Sequence, residues 1–292
     1  MNSLRLPSYA KINLALFVKG KRGDGYHDIE TVFQQISLHD EIELKPTPGA
    51  EVEFACDNPD IPDGMANLCV RAAYLLKMRA GIKEGADIVL HKKIPSGAGL
   101  GGGSSNAAVV MLGLNKLWQL HWPADQLAEL ALELGSDVPF FINGGLALGE
   151  GRGERLTLVR CSWDLPIVLV YPGVSISTKW AYERLNLSLT IKKKYIKLTH
   201  FKNRNFNNVQ FYQDFKNDFQ KVVFETHPGL NHIKTELSEL GAIYASLSGS
   251  GSSIFGVFSD EDAANAAKKV FTGRYEVFIA QPVKWGYEQL NN

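Results

Sequence analysis

The residues with the most evident chemical use lie between Pro95 and Asn106, in the run PSGAGLGGGSSN. Glycine permits positive φ and lets another group approach the backbone closely. An alternating apolar stretch (Ile88, Val89, Leu90) and Lys92-Lys93 precede the run, and Ala107, Val110, Met111, Leu114 and Trp118 follow it at helical spacing. The order is therefore strand, glycine loop, helix N-terminus. A helix N-terminus offers unpaired N–H groups and the positive end of the helix dipole. Ser104 and Ser105 are placed to cap that helix or to donate hydroxyls. Such a site favours an anion with many oxygens, and a nucleotide polyphosphate is the obvious one. A flexible linker of like composition does not usually separate a strand from a well-patterned helix. A Walker A loop would have Lys after its last glycine, where this chain has Ser104. A dinucleotide loop would open the first βαβ unit and find an acid at a later strand end, and neither condition is clearly met.

Other residues could complete a reaction site. Asp137, in GSDVPF, falls between a helix and Pro139, where it can cap the next segment. The same place would also hold a carboxylate on a rigid corner, as a base for an alcohol that receives a phosphoryl group. Lys11 and Asn13 share a strand face with Tyr9. A lysine in such alternation is ordinarily on the solvent side of an edge; its chemical reading is a cation aimed into a cleft. Tyr26 and His27 follow the turn residues Asp24-Gly25 and have the shape and polarity to hold a flat ring such as a nucleobase. Glu150, Arg152, Glu154 and Arg155 read as a solvated hairpin tip.

The elements that must position these groups are legible from periodicity. Pro7 to Val18 reads as a strand, and Ile29 to Leu44 as strands that bend at His39-Asp40. Asn67 to Ala80 is a helix stopped by Gly81, and Leu127, Leu130, Ala131 and Leu134 mark another, stopped by Gly135. Gly144 to Leu156 is a strand and a second glycine-rich turn. Composition shifts near Cys161 to Asp164, where a domain boundary is expected, giving domains 1–160 and 161–292. Beyond it a strand at Ile167 to Tyr171, a short helix through Tyr182, helices from Asp218 to Leu240, two strands around SLSGSGSS (246–253), a helix and a last strand give a β-α-β-β-α-β order, as in ferredoxin-like folds. Ser259 and Asp262 resemble a capping box for that last helix. Gly249 and Gly251 form a hairpin turn or approach the same phosphates from the second domain. Residues 186–217 are rich in Lys and Asn with irregular aromatics and read as a surface insertion; nucleic-acid binding by this segment is the weaker reading.

The chain of 292 residues is 45% apolar, enough for a real core, and carries 31 basic and 31 acidic residues. That balance gives no reason to expect nucleic acid or an anionic membrane as partner. Cys56, Cys69 and Cys161 are odd in number and unclustered, which fits a reducing compartment and offers no zinc site. The apolar run Ile12 to Val18 is broken by Asn13, and no run is long enough to span a bilayer, so a cytoplasmic protein is expected.

PSGAGLGGGSSN resembles the phosphate loop of the GHMP kinases, the superfamily of galactokinase, homoserine kinase and mevalonate kinase. The match narrows with PSYAKINLAL (7–16), GDGYHDIETVFQQI (23–36), GSDVPFF (135–141), GEGRGE (149–154), YPGVSIST (171–178) and SLSGSGSSIF (246–255). Together these resemble the GHMP kinases that phosphorylate the C2 hydroxyl of a methylerythritol bearing cytidine diphosphate, in non-mevalonate isoprenoid precursor synthesis. The resemblance implies an α+β, two-domain fold with an N-terminal nucleotide-binding domain and a C-terminal ferredoxin-like substrate domain. It implies ATP as co-substrate, with Mg²⁺ expected and no protein metal site evident. It implies Asp137 as base with Lys11 beside it, ATP bound by Pro95 and Gly97 as well, and the ATP phosphates cradled by Gly99, Leu100, Gly101, Gly102, Gly103, Ser104 and Ser105. Asn13 and Thr178 match substrate contacts. His27 would bond the cytosine edge and Tyr26 stack on its face, with Tyr182 opposite, where the family commonly has Phe. A kinase of another small alcohol, and a nucleotide sensor without turnover, are the alternatives.

Overall fold

The computed structural model describes residues 3–160, 163–185 and 209–284. Cys161 and the basic run Lys192-Lys193-Lys194, with Tyr195, Phe201 and Phe206, lie outside them.

Two long strands organise the first half. β1 (Leu4–Lys21) pairs antiparallel along nearly the whole of β2 (His27–Thr47). The other edge of β2 is shared between two partners: β4 (Gly85–His91) along residues 41–47 and β5 (Leu146–Gly151) along residues 29–34. β3 (Val52–Cys56) lies parallel to β4, and β6 (Arg155–Leu158) closes the sheet beyond β5. The expected break at His39-Asp40 is a register shift within β2, where Tyr9 faces His39 and Ala10 faces Ile36. A bulge of this kind bends a strand without ending its pairing.

Four helices lie between β3 and β5 in the chain, the first of them before β4: α1 (Leu68–Ala80), α2 (Gly102–Leu117), α3 (Ala124–Ala131) and α4 (Val138–Asn143). Ile42, Leu44, Ile88 and Leu90 of the sheet form one core with Ala72 and Leu76 of α1, Val110 and Leu114 of α2, and Phe140 and Phe141. α2 is buried without interruption from Ser105 to Asn115, so the apolar face expected for it extends around the helix. It also begins earlier than its apolar pattern implies, inside the glycine run. Ser104 and Ser105 are consequently in its first turn, and the capping position belongs to Gly101, with no side-chain cap bond.

The second sheet has the order β10–β7–β9–β8 and is antiparallel throughout. Its strands are β7 (Ile167–Tyr171), β8 (Tyr244–Leu247), β9 (Ile254–Val257) and β10 (Glu276–Ala280). Helices α5 (Thr178–Leu185), α6 (Phe219–Thr226) and α7 (Pro228–Glu239) separate β7 from β8, and α8 (Glu261–Phe271) separates β9 from β10. This is the expected ferredoxin-like order on its own sheet. The cap of α8 is Asp260, whose carboxylate accepts from Ala263 N at 2.8 Å, with Ser259 donating to Asp260; the Ser259/Asp262 box does not form.

Residues 209–217 are not surface insertion. Phe211, Tyr212 and Phe215 are buried and pack edge to face, and Tyr212 stacks on Tyr244 at 5.2 Å. Burying each such ring contributes about 1.5–3 kcal/mol. The segment then joins β1: Leu16 N donates to Lys216 O, and Asp218 N donates to Leu16 O. No helix among the described residues is long and apolar enough to cross a membrane.

Candidate active site

The glycine run turns sharply at alternate residues. Gly97, Gly99 and Gly101 have φ of +65°, +76° and +70°, a left-handed region that residues with a Cβ seldom enter. Neighbours on several sides hold this shape. Lys11 N donates to Leu100 O at 2.9 Å, so β1 is tied to the loop by its backbone. From the other sheet, Ser248 Oγ donates to Gly99 O at 2.9 Å and Ser253 N donates to Ala98 O at 3.1 Å. A Cβ on Gly99 would lie 2.2 Å from Ser248 O. The turn at 246–253 therefore packs directly on the glycine loop.

The first intrahelical bond of α2 runs from Ser105 N to Gly101 O. The N–H groups of Gly102, Gly103 and Ser104 are the ones an α-helix leaves without an internal acceptor. These residues line a cavity of about 930 Å³ between the two sheets, along with Pro95, Gly97, Gly99, Leu100 and Gly101. Ser105 differs. It is fully buried, and its hydroxyl accepts from Ser8 Oγ at 2.8 Å, away from the cavity.

Lys11 is not on a solvent edge. β1 carries it into the wall of the same cavity, with 5% of its side chain exposed. Its Nζ donates to Asn13 Oδ1 at 2.6 Å and stands 3.7 Å from Asp137 Oδ2. Asn13 is fixed in turn, its Nδ2 donating to Thr31 Oγ1 at 2.7 Å and Thr31 Oγ1 to Ala15 O at 2.7 Å. Burial pulls the pKa of the Lys11 ammonium below its usual value, and the charge of Asp137 offsets part of that fall. Asp137 stands at the capping position of α4, but its side chain makes no cap bond, and about a third of it is exposed. The carboxylate is thus left facing the cavity and the lysine.

At the other end of the cavity, the turn at 22–28 is braced by Arg22, which pairs with Asp24 and Asp28, and by Asp24 Oδ1, which accepts from Tyr26 N at 3.1 Å. Tyr26 is half exposed. The Arg152 guanidinium covers one face of its ring at 4.3 Å. His27 is buried and stacks on Tyr182 at 4.7 Å and 17°. Tyr182 meets Phe219 edge to face at 4.8 Å, and burial raises its hydroxyl pKa, with Asp137 adding to the rise. Thr178, at the start of α5, shares a hydrogen bond with Ser250 of the 246–253 turn at 3.0 Å. In this geometry Tyr182 is layered on His27.

The chain matches the GHMP kinases N terminal domain over residues 67–145 and the GHMP kinases C terminal domain over residues 203–276. A 4-diphosphocytidyl-2-C-methyl-D-erythritol kinase of Chloroherpeton thalassium is 40% identical over 92% of this chain and 94% of its own. One of Syntrophotalea carbinolica is 42% identical over 94% of this chain and 97% of its own. The chain belongs to the 4-diphosphocytidyl-2-C-methyl-D-erythritol kinase family of GHMP kinases. A crystal structure of a 4-(cytidine 5'-diphospho)-2C-methyl-D-erythritol kinase superposes with a TM-score of 0.79 at 31% identity, covering 96% of this chain and 99% of the other. Homoserine kinase from Cytophaga hutchinsonii, 21% identical with a TM-score of 0.73 over 98% of this chain and 96% of its own, shares the fold. The chain is thus an ATP-dependent small-molecule phosphotransferase of GHMP fold.

Two cavity residues were not evident in the sequence. Arg152 read as part of a solvated hairpin tip, because an Arg between Gly151 and Gly153 gives no local sign of its partner Tyr26. Lys92 read only as one of two lysines ahead of the glycine run, yet its Nζ lies 3.1 Å from where a Cβ on Gly102 would stand, at the very start of α2. Among the described residues, the one group of His, Cys, Asp and Glu close enough to share a metal ion is Glu41, Glu43 and His91. Arg5 and Asp57 already pair with it, and it does not line the cavity.

Proposed function

We propose that this chain transfers the γ-phosphoryl group of ATP to the C2 hydroxyl of 4-diphosphocytidyl-2-C-methyl-D-erythritol, a step of non-mevalonate isoprenoid precursor synthesis. The observation that carries the reading is the meeting of Lys11 and Asp137, 3.7 Å apart, in one cavity with the glycine loop and with Tyr26 and His27. The ATP phosphates lie on the N–H groups at the start of α2. The alcohol lies between Asp137 and the γ-phosphorus. Asp137 accepts the hydroxyl proton as the oxygen attacks, and the bond from phosphorus to the leaving ADP oxygen breaks. Lys11, held by Asn13, orients the hydroxyl and offsets charge on the moving phosphoryl group.

The cytidine diphosphate end belongs at Tyr26 and His27. Cytosine stacks on Tyr26, on the face away from Arg152, and His27 bonds its edge once the layer with Tyr182 adjusts. A site built to pair polar groups rejects substrates that lack them. Mg²⁺ enters with ATP. Asp137 and Glu183 are carboxylates in the cavity wall, and among the described residues neither belongs to a ligand cluster, so phosphate oxygens and water would supply most of its coordination. The chain divides into an ATP-binding domain, 1–160, and a substrate domain, 161–292, and works in the cytoplasm, where ATP and the free thiols Cys56 and Cys69 are at home.

The test is ADP release with Mg-ATP and the cytidine diphosphate alcohol, for wild type and Asp137→Asn. A positioned base contributes about 10²–10⁴-fold, so turnover should fall by that order with alcohol binding kept. Persistent turnover would make Asp137 a structural corner. A wild type that binds ATP but does not turn over this alcohol would reassign the substrate.

A further inference from the structure

Asp40 is fully buried within β2 and accepts four hydrogen bonds. Its Oδ1 takes Lys93 N and Ile94 N, both at 2.7 Å; its Oδ2 takes Lys92 Nζ at 2.6 Å and Asn106 Nδ2 at 2.9 Å. Asn106 also donates to Ser8 Oγ at 2.9 Å, and Ser8 to Ser105. An apolar side chain would fill this place without the cost of taking a charge out of water. The retained carboxylate therefore has work that packing alone does not require.

Its partners indicate what that work is. Lys93 and Ile94 are the residues by which the chain enters the glycine loop, and Asn106 is in the first turns of the helix by which it leaves. One carboxylate thus holds both ends of the phosphate loop at a fixed spacing. The fourth partner, Lys92, is 6% exposed, lines the cavity, and places its ammonium beside Gly102. An ammonium has three donors. Asp40 engages one of them and so aims the group at the place where the helix N–H groups converge. Lys11 also stands at this helix start, its Cε 3.1 Å from where a Cβ on Gly101 would be. Two lysines therefore flank the anion site, each directed by its own aspartate.

We propose that Asp40 is a positioning residue for nucleotide binding: it fixes both ends of the glycine loop and aims Lys92 at the ATP phosphates. This rests on the phosphates binding at the start of α2 and is independent of which alcohol is phosphorylated. The experiment is Mg-ATP binding by calorimetry, without any alcohol, for wild type, Asp40→Asn, Lys92→Met and the double variant. The loss of a charge-assisted contact to phosphate should weaken ATP binding by about ten- to a hundredfold in each single variant. Because the two residues act as one unit, the double variant should be no weaker than the weaker single one. Steady-state kinetics should show the change in KM for ATP, with KM for the alcohol within about twofold.

A purely structural Asp40 would lower the melting temperature of Asp40→Asn and leave its ATP affinity unchanged, and that result overturns the proposal. So do losses that multiply in the double variant. Should Asp40→Asn not fold, the double variant, which removes both charges together, and Lys92→Met decide the question. Unchanged ATP affinity in Lys92→Met overturns the aim of the lysine. Absence of turnover with the cytidine diphosphate alcohol would count against the substrate assignment and would leave the ATP measurement standing.

Discussion

Two glycines four residues apart in the phosphate loop should answer an added methyl group in opposite ways. At Gly99, φ is +76°, and a Cβ would lie 2.2 Å from Ser248 O and 2.8 Å from Gly251 O, both backbone atoms. The left-handed backbone costs an L-residue roughly 1–2 kcal/mol. Overpacking against atoms that cannot rotate away adds roughly 1–3 kcal/mol. Gly99→Ala should therefore lose about 2–5 kcal/mol, a fall in melting temperature of roughly 3–8 °C for a chain of this size. At Gly103 the backbone is helical, and the nearest atom to an added Cβ is Leu68 Cδ1 at 3.6 Å, an ordinary contact. Gly103→Ala should gain about 0.5–1 kcal/mol, because alanine has less backbone freedom to lose. Differential scanning calorimetry of the two variants beside wild type measures both shifts, and the Kd for Mg-ATP reports the loop itself. Gly99→Ala should also bind ATP less well, since the methyl group pushes the 246–253 turn off the loop. Equal stability of the two variants would refute the reasoning, because it would mean that the turn does not hold the loop as described.

Lys11 makes stability depend on pH in a definite direction. Its folded pKa lies below the usual 10.5, so between the two values the unfolded chain binds the extra proton. The lysine's contribution to stability therefore improves as pH rises through that window. Urea unfolding of wild type and Lys11→Met at several alkaline pH values should show the difference moving in favour of wild type as pH rises toward 10.5, and a constant difference would refute it. Tyr26→Ala and His27→Ala should each weaken binding of the cytidine diphosphate alcohol while leaving ATP affinity intact, as read by calorimetry with each ligand. Asn217 donates to Leu247 O and Gly249 O, each at 2.8 Å, and accepts from Phe219 N at 2.9 Å. Asn217→Ala should destabilise the chain by about 1–3 kcal/mol and raise KM for ATP through the turn that Asn217 supports; a loss of stability with KM unchanged would separate that turn from the nucleotide.

What could be read in the residues was what depends on near neighbours. The helix at 68–80 shows itself by its period, by Asn67 accepting from Cys69 N at its start, and by Gly81 at φ +68° at its end. The ferredoxin-like order is legible because each of its strands is short, apolar and bounded by turn residues. The start of α2 was misjudged because Gly102 and Gly103 are poor helix formers, and intrinsic propensity argues against a helix there. Tertiary contacts override it: Lys11 N, Ser248 and Ser253 hold the loop so that the helix begins at its last glycines. The same limit applies to residues 209–217, whose aromatic spacing has no period because their partners, Tyr244 and Leu16, are distant in the chain.

The site follows the same rule, with a chemical reason. Lys11 alternates with apolar neighbours just as an edge lysine would, and its burial depends on Asp137, more than a hundred residues away. Local pattern cannot distinguish a lysine kept in by a carboxylate from one turned out to water. Asp40 looked like a bend because Asp is common at bends, whereas its partners come from the loop entry, the helix exit and Lys92. In each case the charged residue is buried where an apolar one would pack more cheaply, and in each case a second charge from another part of the chain compensates it. That pairing ties stability to the anion site. The lysines that would draw phosphate are held folded by Asp40 and Asp137, so a substitution at either aspartate should alter ATP or alcohol handling as well as the melting temperature.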